Sequence, residues 1–139
     1  YLLPSINLDL RPIILETLRP GTRVVSHAFD MGDWRPDRYI QVQGRYVYYW
    51  VVPARVEGAW EVTHTDGSSF SVEIKQTYQR IEGIALIEGR PRPLMFADIH
   101  GDTIRFSLEN RHYAGQVDGE RITPLPGNKL VTGWHAKRI

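Results

Sequence analysis

The sequence contains no cysteine, which excludes disulfides, thiolate catalysis and cysteine-ligated zinc. No run approaches the ~18 consecutive apolar residues that a membrane-spanning helix needs. Neither sign of charge dominates. The 17 basic and 16 acidic residues leave a formal net charge of +1 and are mixed along the chain, so no basic patch points to nucleic acid and no acidic tail to a solvating arm. Glycine-rich phosphate loops, nucleophile elbows and paired-carboxylate motifs are also missing. The lack of cysteine fits the cytoplasm and leaves export open, with any signal peptide lying upstream of Tyr1.

What is present favours strands and turns. The 139 residues include 12 Gly, 9 Pro, 7 Tyr and 4 Trp, a composition that suits pleated sheet broken by tight turns. The length suggests one domain, or a small domain with an appendage, able to bury a core.

The opening residues read as the second half of an α/β crossover. Tyr1-Leu2-Leu3-Pro4 resembles the end of a buried strand, and Ser5 or Asn7 can cap a helix. Leu10, Ile14 and Leu18 then share one face. Pro12 interrupts this run, which predicts a short helical turn over residues 5–10 and a main helix with Pro12 at its first position. Pro20-Gly21 ends the helix, and residues 22–29 read as a strand buried on both faces. The partner strand is expected to precede Tyr1, so the chain reads as a piece of a longer protein. Residues 31–38 form a loop. Residues 39–42 and 46–52 form a hairpin around Gln43-Gly44-Arg45, its second arm covered on both faces. Pro53 marks the expected boundary between residues 1–53 and 54–139.

Beyond Val56 short strands recur between turn signals. Trp60 and Val62 face one way in the first. Phe70, Val72 and Ile74 alternate with polar neighbours, and Ile81, Gly83, Ala85 and Ile87 share a face. Residues 89–93 read as a turn. Ala97 and Ile99, then Ile104, Phe106 and Leu108, then residues 113–117, 121–125 and 130–139 complete a meander of about eight strands. The fold class is mainly β (α+β overall), with a helix-strand-hairpin segment followed by an up-and-down, barrel-like antiparallel sheet. Such a barrel is filled by side chains or holds one small ligand. Trp60 and Trp134 would be neighbours across its seam. His64, His100, His112 and His135 lack metal-ligand spacing, so no metal site is expected.

The first segment carries a family resemblance. Leu2-Leu3-Pro4, Asn7-Leu8, Leu10-Arg11-Pro12, Pro20-Gly21-Thr22-Arg23-Val24-Val25-Ser26-His27 and Met31-Gly32-Asp33-Trp34 stand in the order found after the fourth strand of a bacterial group of class I S-adenosylmethionine-dependent methyltransferases. The similarity covers about a quarter of the chain. A weaker one extends to protein-lysine methyltransferases acting on mitochondrial ATP synthase. The resemblance implies the C-terminal part of a methyltransferase, with S-adenosylmethionine as the cofactor of the parent protein and a protein substrate as a candidate partner. A hairpin closes the sheet in that fold.

Ligands of doubly wound sheets sit beyond the carboxyl ends of the strands. Leu3, Pro4 and Asn7 follow one such end; Ser26, His27, Asp30 and Trp34 follow another. These seven are the cofactor-binding or substrate-side candidates, and no catalytic residue is assigned. Asn7 either orients a ligand or caps a helix. His27 is either a base or a hydrogen-bonded strand residue. Asp30, Asp33 and Trp34 either line a cleft or form a loop tied by Asx turns. The glycine-rich turn of the cofactor site has no counterpart here, so this chain alone is expected to bind no cofactor and to be inactive. Two alternatives stand beside this reading: a β-barrel binding module for a small apolar ligand or partner protein, and a homodimer formed through an exposed sheet edge.

Overall fold

Two-residue alternation governs most of the chain, and strands follow from it. The computed structural model describes residues 4–27 and 30–139, with side chains from Asn7 onward. It divides into two compact units, Tyr1–Pro53 and Ala54–Ile139.

The first unit holds the helix α1 (Pro4–Thr17) and three strands, β1 (Arg23–His27), β2 (Arg38–Val42) and β3 (Arg45–Val51). The strands are antiparallel in the order β1-β3-β2, so the expected hairpin does close this sheet. Gln43 and Gly44 form its turn, both with positive φ (51° and 78°), the geometry of a type I′ connection.

Four expectations are corrected here. Pro12 lies inside one continuous 14-residue helix and does not start a second one. A proline there forfeits the bond to the Leu8 carbonyl. Asn7 and Arg11, four residues apart on one face, both precede this proline and anchor the N-terminal half of the helix to residues 26–33. The helix begins at Pro4, so Asn7 sits within it and does not cap it. Neither is β1 buried on both faces: Ser26 is buried beneath α1, whereas Val25 on the opposite face is 63% exposed. In β3 only Trp50 and Val51 are buried, while Arg45 and Tyr46 are exposed. A β-branched or aromatic run signals pleated backbone; it does not supply the layers that cover it.

The second unit is one antiparallel sheet. Its strands are β4 (Gly58–His64), β5 (Ser69–Thr77), β6 (Arg80–Ile87), β7 (Arg90–Pro93), β8 (Met95–His100), β9 (Thr103–Leu108), β10 (Arg111–Asp118), β11 (Arg121–Pro124) and β12 (Trp134–Arg138). They run β7-β6-β5-β4-β12-β11-β10-β9-β8. The first strand pairs with the last, Trp60 opposite Arg138 and His64 opposite Trp134, and β6 also approaches β8. The sheet is therefore a nearly closed barrel, open only between β7 and β8.

The ninth strand is the Arg90-Pro91-Arg92-Pro93 stretch that sequence spacing assigns to a turn. Both prolines fall at every second position opposite Leu86 and Ile84, so their missing N–H groups lie on one side. An edge strand tolerates that arrangement. The last strand is shorter than the expected span of residues 130–139. It begins at Trp134, and Leu130 makes only an isolated bridge to His112.

Inside the barrel Trp60, Val62, Phe70, Val72, Ile74, Ile104, Phe106, Tyr113, Ile122 and Trp134 form a continuous core. The space left among them is about 10 Å³, the size of one water at most. Side chains fill this part of the interior.

Candidate functional site

Three of the sequence candidates, Asn7, Ser26 and Asp30, meet in the first unit where α1 crosses the chain leaving β1. Asn7, buried in the second turn of the helix, donates from its amide nitrogen to Ser26 Oγ (3.2 Å) and to the Asp30 carbonyl (3.2 Å). One turn later Arg11 donates from Nη1 to the Met31 carbonyl (3.0 Å) and to Asp33 Oδ1 (2.5 Å). A buried amide needs such partners, because leaving one unmade costs about 1–3 kcal/mol.

The intervening loop is a tight reversal. Asp30 Oδ1 accepts the Gly32 N–H at 3.1 Å, an Asx turn, and Met31 bridges to Trp34. Gly32 has φ +70°, and a Cβ there would stand 2.8 Å from Leu8 Cδ2. Only glycine meets both conditions. Trp34 is fully buried against Trp50, their ring centroids 5.9 Å apart, and its carbonyl accepts the Trp50 indole N–H at 2.8 Å.

The structure thus joins Asn7, Ser26 and Asp30 in one cluster, while Trp34 packs on Trp50. His27 ends β1 opposite Val47. Pro4 opens the helix, and Leu3 lies outside the described residues. Asp33 pairs with Arg11. Arg11 belongs to the motif Leu10-Arg11-Pro12 but was not among the candidates. Its signal was available: it stands one turn from Asn7, on the same helix face. Chemically the cluster is a brace with an acidic rim, since the buried Asn7 amide and the half-buried Arg11 guanidinium fix the backbone while the Asp30 and Asp33 side chains are exposed.

A second polar group lies in the barrel unit. His64 Nε2 is 3.0 Å from the Tyr113 hydroxyl, and His64 Nδ1 is 3.4 Å from Ser68 Oγ. The Ser68 hydroxyl and backbone N–H both donate to Asp66 Oδ1 (2.6 and 2.8 Å). These bonds hold the Asp66 carboxyl below its usual value, and burial pushes the Tyr113 phenol up. No sequence signal joins His64 to Tyr113, 49 residues apart. Barrel curvature brings them together. Among the described residues no group of three metal-ligating side chains converges.

No family model matches the chain. Over 43 residues it is 44% identical to a protein-lysine N-methyltransferase of Saccharolobus islandicus (strain REY15A), a match covering 31% of this chain and 27% of that protein. The RNA methyltransferase of Salinibacter ruber, solved in complex with S-adenosyl-L-homocysteine, is 57% identical over 40% of this chain and 37% of that one, with a TM-score of 0.39. The chain therefore spans well under half the length of these relatives. It contains a methyltransferase-related region.

Proposed function

We propose that the first unit is the C-terminal part of a class I methyltransferase domain of the bacterial group whose motifs it resembles, and that it forms the substrate-side wall of a methyl-transfer site. The observation that carries this is the Asn7–Ser26–Asp30 brace at the carboxyl end of β1, with Asn7 and Ser26 buried, where ligands of such sheets sit. The motif order and the 44% identity to a protein-lysine N-methyltransferase support it.

The residues here do not make a complete cofactor cradle. The sequence has no Gly-x-Gly turn, and the Asn7 amide nitrogen is engaged within the protein. We therefore assign S-adenosylmethionine binding to the parent protein and none to this chain alone. The role of the chain is positional. Asn7 and Arg11 fix residues 30–33, and the exposed Asp30 carboxylate, oriented by the Gly32 N–H, offers a cationic acceptor such as a lysine a place to dock.

The test is calorimetric titration of the full-length protein with S-adenosylmethionine, alongside the chain of Tyr1–Ile139. Saturable heat from the former alone is expected. No heat from a folded full-length protein overturns the reading, and binding by the short chain refutes its dependence on the rest.

One observation favours a second reading, in which the barrel docks a partner protein on its outside. Phe96 is 82% exposed with φ +53°, at a register irregularity in β8, close to exposed Met95. A strained, outward aromatic at a bulge is a recurrent mark of a contact site. Cross-linking the native protein with and without Phe96→Ala separates this role from packing, because loss of a cross-linked partner is expected only if Phe96 makes the contact.

A further inference from the structure

We propose that the outer edge of β2 is a self-association surface, to which a second copy of this chain adds its own β2 antiparallel about Ile40. This inference is independent of the methyl-transfer reading.

β2 ends the three-stranded sheet, and all five of its residues are exposed: Tyr39 by 64%, Ile40 by 59% and Val42 by 50% among the apolar ones. The type I′ turn at Gln43-Gly44 determines which backbone groups face outward. It makes Val42 and Arg45 a hydrogen-bonded pair, and alternation then turns the N–H and C=O of Val42, Ile40 and Arg38 toward β3. Those of Tyr39 and Gln41 point away from the sheet. They are a template for another strand.

The same chain shows what a guarded edge looks like. β7 carries Pro91 and Pro93 between arginines, and β8 breaks its register between Met95 and Asp98. Both devices discourage strand addition. β2 has neither: it keeps unbroken register with β3 from Arg38 to Val42 and contains no proline and no lysine.

The sequence of this edge suits its own copy. Antiparallel pairing about Ile40 sets Tyr39 opposite Gln41 of the second copy, and the reverse, so each such pair exchanges both outward hydrogen bonds. Ile40 meets Ile40. Arg38 meets Val42, which keeps the two arginines from opposing each other, a like-charge pairing that would be destabilising. Tyr39 already packs against Tyr46 and Tyr48, with centroids 5.7 and 6.5 Å away. Pairing would continue that aromatic row across the two-fold axis. The contact is isologous, so it closes at a dimer.

Sedimentation equilibrium of the whole chain over about a hundredfold concentration range tests this. The weight-average mass should climb from 16.0 kDa toward twice that value. Ile40→Lys, which sets like charges face to face, and Gln41→Pro, which removes an outward donor, should both stay at 16.0 kDa. Val25→Lys, on the exposed face of β1, should dimerise like the parent. Hydrogen exchange adds a local readout: the Tyr39 and Gln41 amides should slow with concentration in the parent chain and not in Ile40→Lys. A parent chain that stays monomeric overturns the proposal. So does a dimer that survives in Ile40→Lys, or a dimer in which those two amides still exchange freely. Should Gln41→Pro fail to fold, Ile40→Lys carries the test alone.

Discussion

The Arg138 guanidinium lies 4.4 Å over the ring of Trp60, its partner across the pairing of the last strand with the first. The same group donates to the carbonyls of Glu57 (2.6 Å) and Arg55 (2.9 Å). One side chain thus closes the barrel seam and ties down the segment entering β4.

Arg138→Ala should destabilise the barrel by about 2 kcal/mol, the sum of a partly buried cation–π contact and charge-assisted hydrogen bonds. Arg138→Lys should recover only part of this, because an ammonium cannot bond two carbonyls from a planar fork while stacking on the indole. Urea denaturation followed by tryptophan fluorescence measures both.

Gly115 is needed for lack of space. An added Cβ would stand 2.5 Å from Ile122 Cγ2, 2.9 Å from Trp134 Cη2 and 3.1 Å from the Thr123 carbonyl. Gly115→Ala should cost about 1–3 kcal/mol by overpacking, seen as a lower urea midpoint with an unchanged slope.

Asn7→Ala leaves Ser26 Oγ and the Asp30 carbonyl without their amide donor. The expected loss is about 1–3 kcal/mol, confined to the first unit. Amide exchange should quicken in β1 and residues 30–34 while β4 to β12 keep their protection. Equal quickening in both units would contradict a local brace.

Tyr113 contributes to the alkaline sensitivity of the fold. Burial raises its phenol above the ordinary value of 10.0, so the folded state holds that proton after the unfolded chain has released it. Stability is then unaffected below about pH 10 and falls as pH rises from there through the folded value. Spectrophotometric titration should show a phenol ionising above 10.0 in the parent chain and missing from Tyr113→Phe, and that substitution should abolish its share of the alkaline slope. A titration in which Tyr113→Phe removes an early-ionising group contradicts this.

The barrel was legible wherever one face of a strand is wet. Phe70, Val72 and Ile74 alternate with polar residues, and so do Ile104, Phe106 and Leu108, because the pleat sends neighbours to opposite sides. Expecting Trp60 and Trp134 on neighbouring first and last strands needed only this pattern and short turns. The Arg90–Pro93 strand was not legible, since proline reads as a breaker until an edge is known to exist for it. The helix through Pro12 was hidden for a related reason: local propensity argues for a break, and only the tertiary structure shows the helix running through it.

Composition and alternation by themselves determined a mainly β chain, the positions of most strands and the inward set of apolar residues, because these depend on neighbours along the backbone. They also carried the ordered motifs from Leu2 to Trp34 that mark the methyltransferase-related region. Tertiary structure alone decided that Asn7 is a buried brace, that His64 meets Tyr113, which side chains share the barrel core, and that β2 has an exposed edge. Each of those depends on which distant segment occupies the space beside a residue, and no local pattern encodes that.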